Sequence, residues 1–273
     1  MIADLSADAP VDLSVTVAIS TIGERLAGLA LPAPHPGVDY LVLVQMPRGI
    51  PCPEEIAARA DVAVHVLGSV GLSRSRNAAF DHATGALLVF ADDDMTLEPE
   101  GFRALSRAFA ADPALDFAAG WRSDRLPGAG PRGRRHRLHH FNAGRVCAPE
   151  LIVRRSAVEA AGLRFDPEFG LGARFGLGEE YVFVTDALKA GLGGVSLPVA
   201  VGRHPSESTG DNWQRADLMR ARLAMLKRVF GRWAPVMRLL YALRYRNRIG
   251  GPGRLLAFAR GQVPGQPQEA DAP

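Results

Sequence analysis

Four short apolar runs separated by segments of helical or turn character place the strongest constraint on how this chain can fold. They are residues 13–20 (LSVTVAIS), 40–45 (YLVLVQ), 62–67 (VAVHVL) and 86–91 (ALLVFA). The first run alternates and is β-branched, as a strand requires. The fourth is apolar on both faces, the pattern of a central strand in a parallel sheet. A turn into a short helix follows Gly23. Residues 73–84 have helical spacing, with Ala78, Ala79 and Ala83 on the inner face and Gly85 closing the helix. Strands alternating with helices predict an α/β fold, Rossmann-like, with a mostly parallel central sheet flanked by helices.

The regular pattern extends through a helix at 98–111, with Pro99 suited to its first turn. Residues 120–145, rich in Gly, Pro, Arg and His, read as a long loop. A strand near 150–154, a helix near 156–161, a Gly-rich segment at 170–178, a helix at 179–190 and a strand near 194–200 complete the expected α/β domain, 13–210. Residues 1–12 are expected to be a flexible N-terminus. Residues 211–261 form a basic, amphipathic helical extension with a break at Pro235, and 262–273 (QVPGQPQEADAP) a disordered tail.

At 273 residues the chain holds one large α/β domain with a helical appendage. No apolar run approaches the roughly 18–20 residues that cross a bilayer, and the acidic N-terminus lacks the basic start of a secretory signal. Cys52 and Cys147 are the only cysteines, too few for a disulfide framework or an all-cysteine zinc site. Reduced thiols and a cytoplasmic location are the expectation. The formal net charge is only +3, yet the sequence pI is about 9.2. Lys189 and Lys227 are the only lysines, and the arginines concentrate at 132–137 (RGRRHR) and 215–260. A GC-rich coding preference explains the missing lysines but not the clustering. Planar guanidinium forks suit phosphates and carboxylates, so anionic partners are expected.

Asp92-Asp93-Asp94 directly follows the fourth run. Adjacent carboxylates at the end of a buried strand repel one another, and a hard divalent cation offsets that repulsion while bridging to phosphate oxygens. Ligands in open α/β sheets bind at the carboxyl ends of strands, where this triplet falls. An acidic turn capping the next helix is the plainer reading. A third is chemical: Asp-Asp-Asp-Met-Thr matches the D-x-D-x-T signature of haloacid-dehalogenase-type phosphatases, with Asp92 as nucleophile and Asp94 as its acid/base partner. That family normally begins with this strand, whereas here about three strands precede it.

Longer segments give the triplet a context. Residues 71–94 (GLSRSRNAAFDHATGALLVFADDD) resemble the central stretch of family 2 nucleotide-sugar glycosyltransferases, including the Arg76-Asn77 pair, Gly85 and the spacing to the aspartates. Residues 161–191 (AGLRFDPEFGLGARFGLGEEYVFVTDALKAG) resemble that family's acceptor-side block. Residues 197–210 (LPVAVGRHPSESTG) place a histidine after a strand, where many relatives carry a metal ligand. Ser20 to Arg25 is similar to the first donor-binding turn.

The resemblance implies a GT-A fold, with 13–210 the catalytic domain, 13–97 its nucleotide-sugar-binding half and 98–210 its acceptor-binding half, and a metal-dependent, inverting transferase of the hexosyl or N-acetylhexosaminyl type, working in polysaccharide or glycoconjugate assembly. A non-catalytic sugar-binding or partner-binding relative is the other outcome. Asp94, Asp92 and His204 would hold Mn²⁺ or Mg²⁺. Thr21, Glu24, Gln45, Arg76, Asp92 and Asp93 would bind the nucleotide-diphosphate sugar. Glu180 would be the catalytic base and Glu179 an acceptor-side support, although helix N-terminal acids also suit the macrodipole alone. Two departures stand out. The second strand ends in Val44-Gln45 in place of the usual Asp, with Gln45 able to hydrogen-bond a base edge, and Glu180 replaces the more frequent Asp.

The arginines of 132–137 would hold a diphosphate or an anionic acceptor, unless that loop is only solvated. Trp213, Trp233 and Tyr241, set among arginines, suit peripheral contact of 213–260 with an anionic membrane at its inner face, and hence a glycan or lipid-linked acceptor. Packing of those helices on the catalytic domain is the alternative. No nucleic-acid motif is present.

Overall fold

In a computed structural model of the chain, residues 13–46, 48–204 and 209–264 are described. The expected flexible N-terminus, and the expected tail beyond residue 264, lie outside them.

The apolar runs form β1 (Val15–Ile22), β2 (Val38–Gln45), β3 (Val62–Leu67) and β4 (Leu87–Asp92), all parallel and ordered β3-β2-β1-β4. Their crossovers carry α1 (Gly23–Leu26), α2 (Glu54–Ala57) and α3 (Leu72–His82). The chain continues through β5 (Thr96–Leu97), α4 (Pro99–Ala111), β6 (Phe117–Arg122), β7 (His136–Arg137), β8 (Leu151–Arg154), α5 (Arg155–Ala160), α6 (Glu179–Lys189) and β9 (Gly194–Arg203). β8 runs antiparallel to both β4 and β6, and β6 pairs parallel with β9. The sheet is therefore parallel over β1–β4 and mixed beyond them.

Both faces of the sheet are covered. On one, Phe102, Leu105 and Phe109 of α4 are fully buried against β1, β2 and β4. α4 lies so close to β9 that a Cβ on Gly101 would stand 1.8 Å from the Ala200 carbonyl oxygen. On the other face, Ala79 and Phe80 of α3, and Ala83 just after it, meet Phe183, Val184 and Ala187 of α6. Phe165 stacks on Phe183 with ring centroids 4.3 Å apart.

The expected loop at 120–145 begins inside a strand. β6 (FAAGWR) contains Gly120 and no β-branched residue, so only Phe117 and Trp121 favour a strand and its own signal is weak. It is held by β8 and β9 instead. His136 and Arg137 add a short antiparallel rung to β9.

The extension consists of α7 (Ala216–Phe230), α8 (Ala234–Arg244), α9 (Arg246–Ile249) and α10 (Pro252–Ala259). It shares a third core with Phe169 and Val182. Trp213 is buried there, its ring 4.9 Å from that of Tyr245 and 5.9 Å from that of Tyr241. Two of the three aromatics that suggested a membrane-facing helix thus belong to the core; only Trp233 is exposed, at 59%. Among the described residues no helix is long and apolar enough to cross a membrane.

Candidate active site

The carboxyl ends of β1, β2 and β4 open on a cavity of about 980 Å³, where a crevice in an open α/β sheet is expected. The first turn of α6 forms a second wall. α7, α8 and α9 close a third with Met225, Tyr241 and Arg248 among others.

Successive side chains of the aspartate triplet leave the strand end in different directions and find different partners. Asp92 Oδ1 lies 3.3 Å from Arg76 Nη2. Asp93 accepts a 2.6 Å hydrogen bond from Thr21 Oγ1. Arg25 Nη2 of α1 stands 2.9 Å from Asp93 Oδ1 and 3.0 Å from Asp94 Oδ2. Asp94 Oδ1 is buried without a hydrogen-bond partner, 3.4 Å from His204 Nε2. Burial raises the pKa of both Asp92 and Asp93 above the usual carboxylate range. For Asp92, Glu180 and Asp94 add to that rise while Arg76 opposes it; for Asp93, Thr21 and Arg25 oppose it.

On the facing wall, Gly178 precedes α6 in a left-handed conformation, φ 97°. That conformation favours glycine, and a Cβ there would stand 2.9 Å from Met225 Sδ of α7, which would have to shift. Glu179 and Glu180 open the helix. Arg76 Nη1 reaches both, 3.1 Å from Glu179 Oε1 and 2.9 Å from Glu180 Oε1. Glu180 Oε1 lies 3.4 Å from the Ala148 backbone nitrogen, which donates to it. Burial, reinforced by the neighbouring Glu180 charge, pushes Glu179 up to about 8.

These contacts revise several expectations. Arg76 does not face the cleft: it is 1% exposed and lies beneath the floor, its Nε unpartnered and its Cζ 5.6 Å from the Phe165 ring centre. The reason is charge. Three converging carboxylates withdrawn from water need a cation among them, and Arg76 supplies it. Glu24 is exposed, paired with Arg48 and outside the cleft wall. Thr21 and Gln45 do line the cleft, Gln45 Oε1 accepting from the Gly71 backbone at 2.7 Å.

Asp92, Asp94 and His204 all line the cleft, yet Asp92 is engaged by Arg76. Among the described residues no group of three or more His, Cys, Asp or Glu side chains is gathered as a metal site. The orphaned Asp94 Oδ1 facing an imidazole nonetheless fits a Mg²⁺-like ion. Such an ion commonly takes only one or two protein carboxylates, with substrate phosphates and water completing its shell.

The part of the cleft lined by Trp121, Arg122, Arg145 and Glu150 holds residues that periodicity had not singled out. Arg145 Cζ lies 3.7 Å over the Trp121 ring, and its Nη1 is 3.2 Å from Glu150 Oε2. Burial pushes Glu150 up to about 7 against the pull of Arg145. Arg122 is buried beside them. The basic run 132–137 lies outside the cleft wall, and Arg135 is held by Asp112 at 2.6 Å. A Trp-Arg pair ending a strand was the only local hint of this wall. Its place beside the triplet depends on β8 inserting between β4 and β6.

Residues 54–165 match the family model described as Glycosyl transferase family 2. No curated protein matches the chain. Among solved structures, S. aureus TarS 1–349 is 13% identical, with a TM-score of 0.55 and coverage of 91% of this chain and 92% of that one. The same S. aureus protein in complex with UDP-GlcNAc is 14% identical, with a TM-score of 0.53 and coverage of 86% and 73%. The mannosyltransferase PcManGT from Pyrobaculum calidifontis, in complex with GDP-Man and Mn²⁺, is 17% identical, with a TM-score of 0.59 and coverage of 91% and 74%. The family model bears out the resemblance read in residues 71–94, and the solved structures bear out the GT-A fold.

Proposed function

We propose that this chain, a glycosyltransferase of the GT-A fold, moves a sugar from a nucleotide-diphosphate donor to an acceptor hydroxyl with inversion. The observation that carries this reading is the joining of the two acidic walls of one cleft, Asp92 on one side and Glu179-Glu180 on the other, through the buried Arg76. The donor diphosphate lies against the triplet beside Arg25, and the acceptor against α6. Solved neighbours holding UDP-GlcNAc and GDP-Man support a hexosyl or N-acetylhexosaminyl donor.

Glu180 takes the proton of the acceptor hydroxyl as that oxygen attacks the anomeric carbon from the face opposite the diphosphate. The anomeric carbon–phosphate oxygen bond breaks, and its electron pair leaves with the nucleoside diphosphate. Arg25 and the strand-end turn stabilise the departing charge. Mn²⁺ or Mg²⁺, held through Asp94 and His204 with Asp92 nearby, would neutralise further charge on the diphosphate.

Glycan or lipid-linked acceptors, in polysaccharide or glycoconjugate assembly at the cytoplasmic side of a membrane, fit the arginine-rich cleft wall. The phosphatase reading loses support, because neither Lys189 nor Lys227 lines the cleft and Lys189 Nζ donates to the Val229 carbonyl at 2.7 Å. Incubation with a panel of UDP- and GDP-sugars and Mn²⁺, following nucleoside diphosphate release, tests the proposal. Release that is lost in Asp94→Ala supports it. A phosphoenzyme trapped at Asp92, or donor binding without turnover, overturns it.

A further inference from the structure

α8 turns two apolar faces in two directions. Ala234 and Ala242 are buried, and Met237 and Tyr241 pack inward against the third core. Val236, Leu239, Leu240 and Leu243 recur at helical spacing on the outer face and are each about half exposed, at 50–54%. A helix on a globular surface ordinarily turns polar residues to solvent. This one continues its outer stripe at one end with the exposed Trp233, and α10, which packs beside it, exposes Leu256. Contiguous exposed apolar surface of this kind marks an interaction site.

The charge around the stripe identifies the partner. Arg232, Arg244 and Arg246 are exposed along the helix and at its ends. Over residues 213–260 there are twelve arginines and lysines against the single acid Asp217, while the remainder of the chain is net negative. An apolar stripe whose own helix and its ends carry only cations, Arg232, Arg238, Arg244 and Arg246, suits a surface that is greasy within and anionic at its edge. A second copy of the chain would bring arginines against arginines.

We infer that α8 docks on the surface of an anionic lipid bilayer, its leucines entering the interface and its arginines pairing with headgroups. Leu240 and Arg244 belong both to the outer face and to the cleft wall. If the glycosyltransferase reading holds, the cleft opens beside the lipid and its acceptor is lipid-borne.

The test is co-sedimentation of the full chain with vesicles of phosphatidylcholine, alone or mixed with phosphatidylglycerol. Binding to the mixed vesicles is expected, weakening as salt is added. Leu239 and Leu243 lie outside the cleft wall, and the double variant Leu239→Glu/Leu243→Glu should lose at least about tenfold in partitioning. Arg232→Gln/Arg246→Gln should lose about tenfold on anionic vesicles. Unchanged circular dichroism and melting temperature show that each variant folds. Wild-type protein left in the supernatant with both vesicles overturns the inference, as does equal binding by all variants. So does a dimer in sedimentation velocity that Leu239→Glu/Leu243→Glu converts to monomer. Vesicle binding requires no turnover, so its failure alongside intact transfer to a soluble acceptor removes the docking surface and leaves the enzymatic reading standing.

Discussion

The guanidinium of Arg76 stands 2.9 Å from Glu180, the proposed base, and the same group reaches Asp92 on the opposite wall at 3.3 Å. One buried cation therefore fixes the spacing between the β4 side and the α6 side of the cleft. It is 1% exposed and does not line the cleft, so on the proposed reading it acts as a positioning residue. Several measurable consequences follow from this geometry and from the packing around it.

Arg76→Met should leave Asp92, Glu179 and Glu180 without their cation and destabilise the protein by about 3–5 kcal/mol. Arg76→Lys keeps the charge but loses the fork that spans both walls. It should fold, yet lose most transfer while still binding nucleotide. Calorimetric melting and donor titration separate the two effects. Full activity in the lysine variant would show that the fork positions nothing.

Glu179 and Glu180 should behave differently on conversion to glutamine. Burial and the adjacent Glu180 charge push Glu179 up to about 8, so it binds its proton more tightly in the folded protein than in the unfolded chain. Its contribution to stability is complete below the ordinary value of 4.5 and is lost as pH rises through about 8. Glu179→Gln should therefore keep most transfer at pH 7 and flatten the fall in melting temperature between pH 5 and 9. Glu180→Gln should retain donor binding and lose transfer by about 100-fold or more, the usual contribution of a general base. If the two variants exchange behaviour, the base is Glu179.

Asp94→Ala and His204→Ala should each weaken Mn²⁺-supported binding of a nucleoside diphosphate by about tenfold or more, since even groups that only orient a ligand contribute that much. Isothermal titration with and without a chelator is the measurement. Nucleotide affinity that ignores both the chelator and the substitutions would show that Arg25 alone neutralises the diphosphate.

Gly101→Ala tests the seating of α4 on β9. A Cβ 1.8 Å from a backbone oxygen cannot be accommodated without moving one of them, at a cost of about 1–3 kcal/mol or more. A melting temperature equal to that of the wild type would mean that α4 sits farther from β9.

Legibility of the fold in the sequence followed locality. β1 to β4 and α3 were visible because their periodicity is contained in a few residues and agrees with their burial. β6 was not, since its order comes from partners more than thirty residues away in sequence. The site divides the same way. The aspartates and the two glutamates were identifiable as a set, because a motif records which residues are present. What each one faces is a property of packing. Adjacent carboxylates turned to Arg76, to Thr21 and to His204, and the arginine expected at the nucleotide is enclosed by carboxylates beneath it. Trp213 and Trp233 lie in the same basic stretch, and only the partner helices decide which of them is core.

Gly178 holds a left-handed conformation that favours glycine, and Met225 of the extension packs against it at the turn that presents Glu179 and Glu180. On the proposed reading, donor choice resides with β1, β2 and β4, while acceptor choice is shared with helices that begin more than 120 residues after β4 ends. The chain would then be divisible for selection. A chimera carrying α7–α10 from a relative is expected to keep its parent's nucleotide sugar and adopt the relative's acceptor, so new products can arise by recombination without altering the donor site.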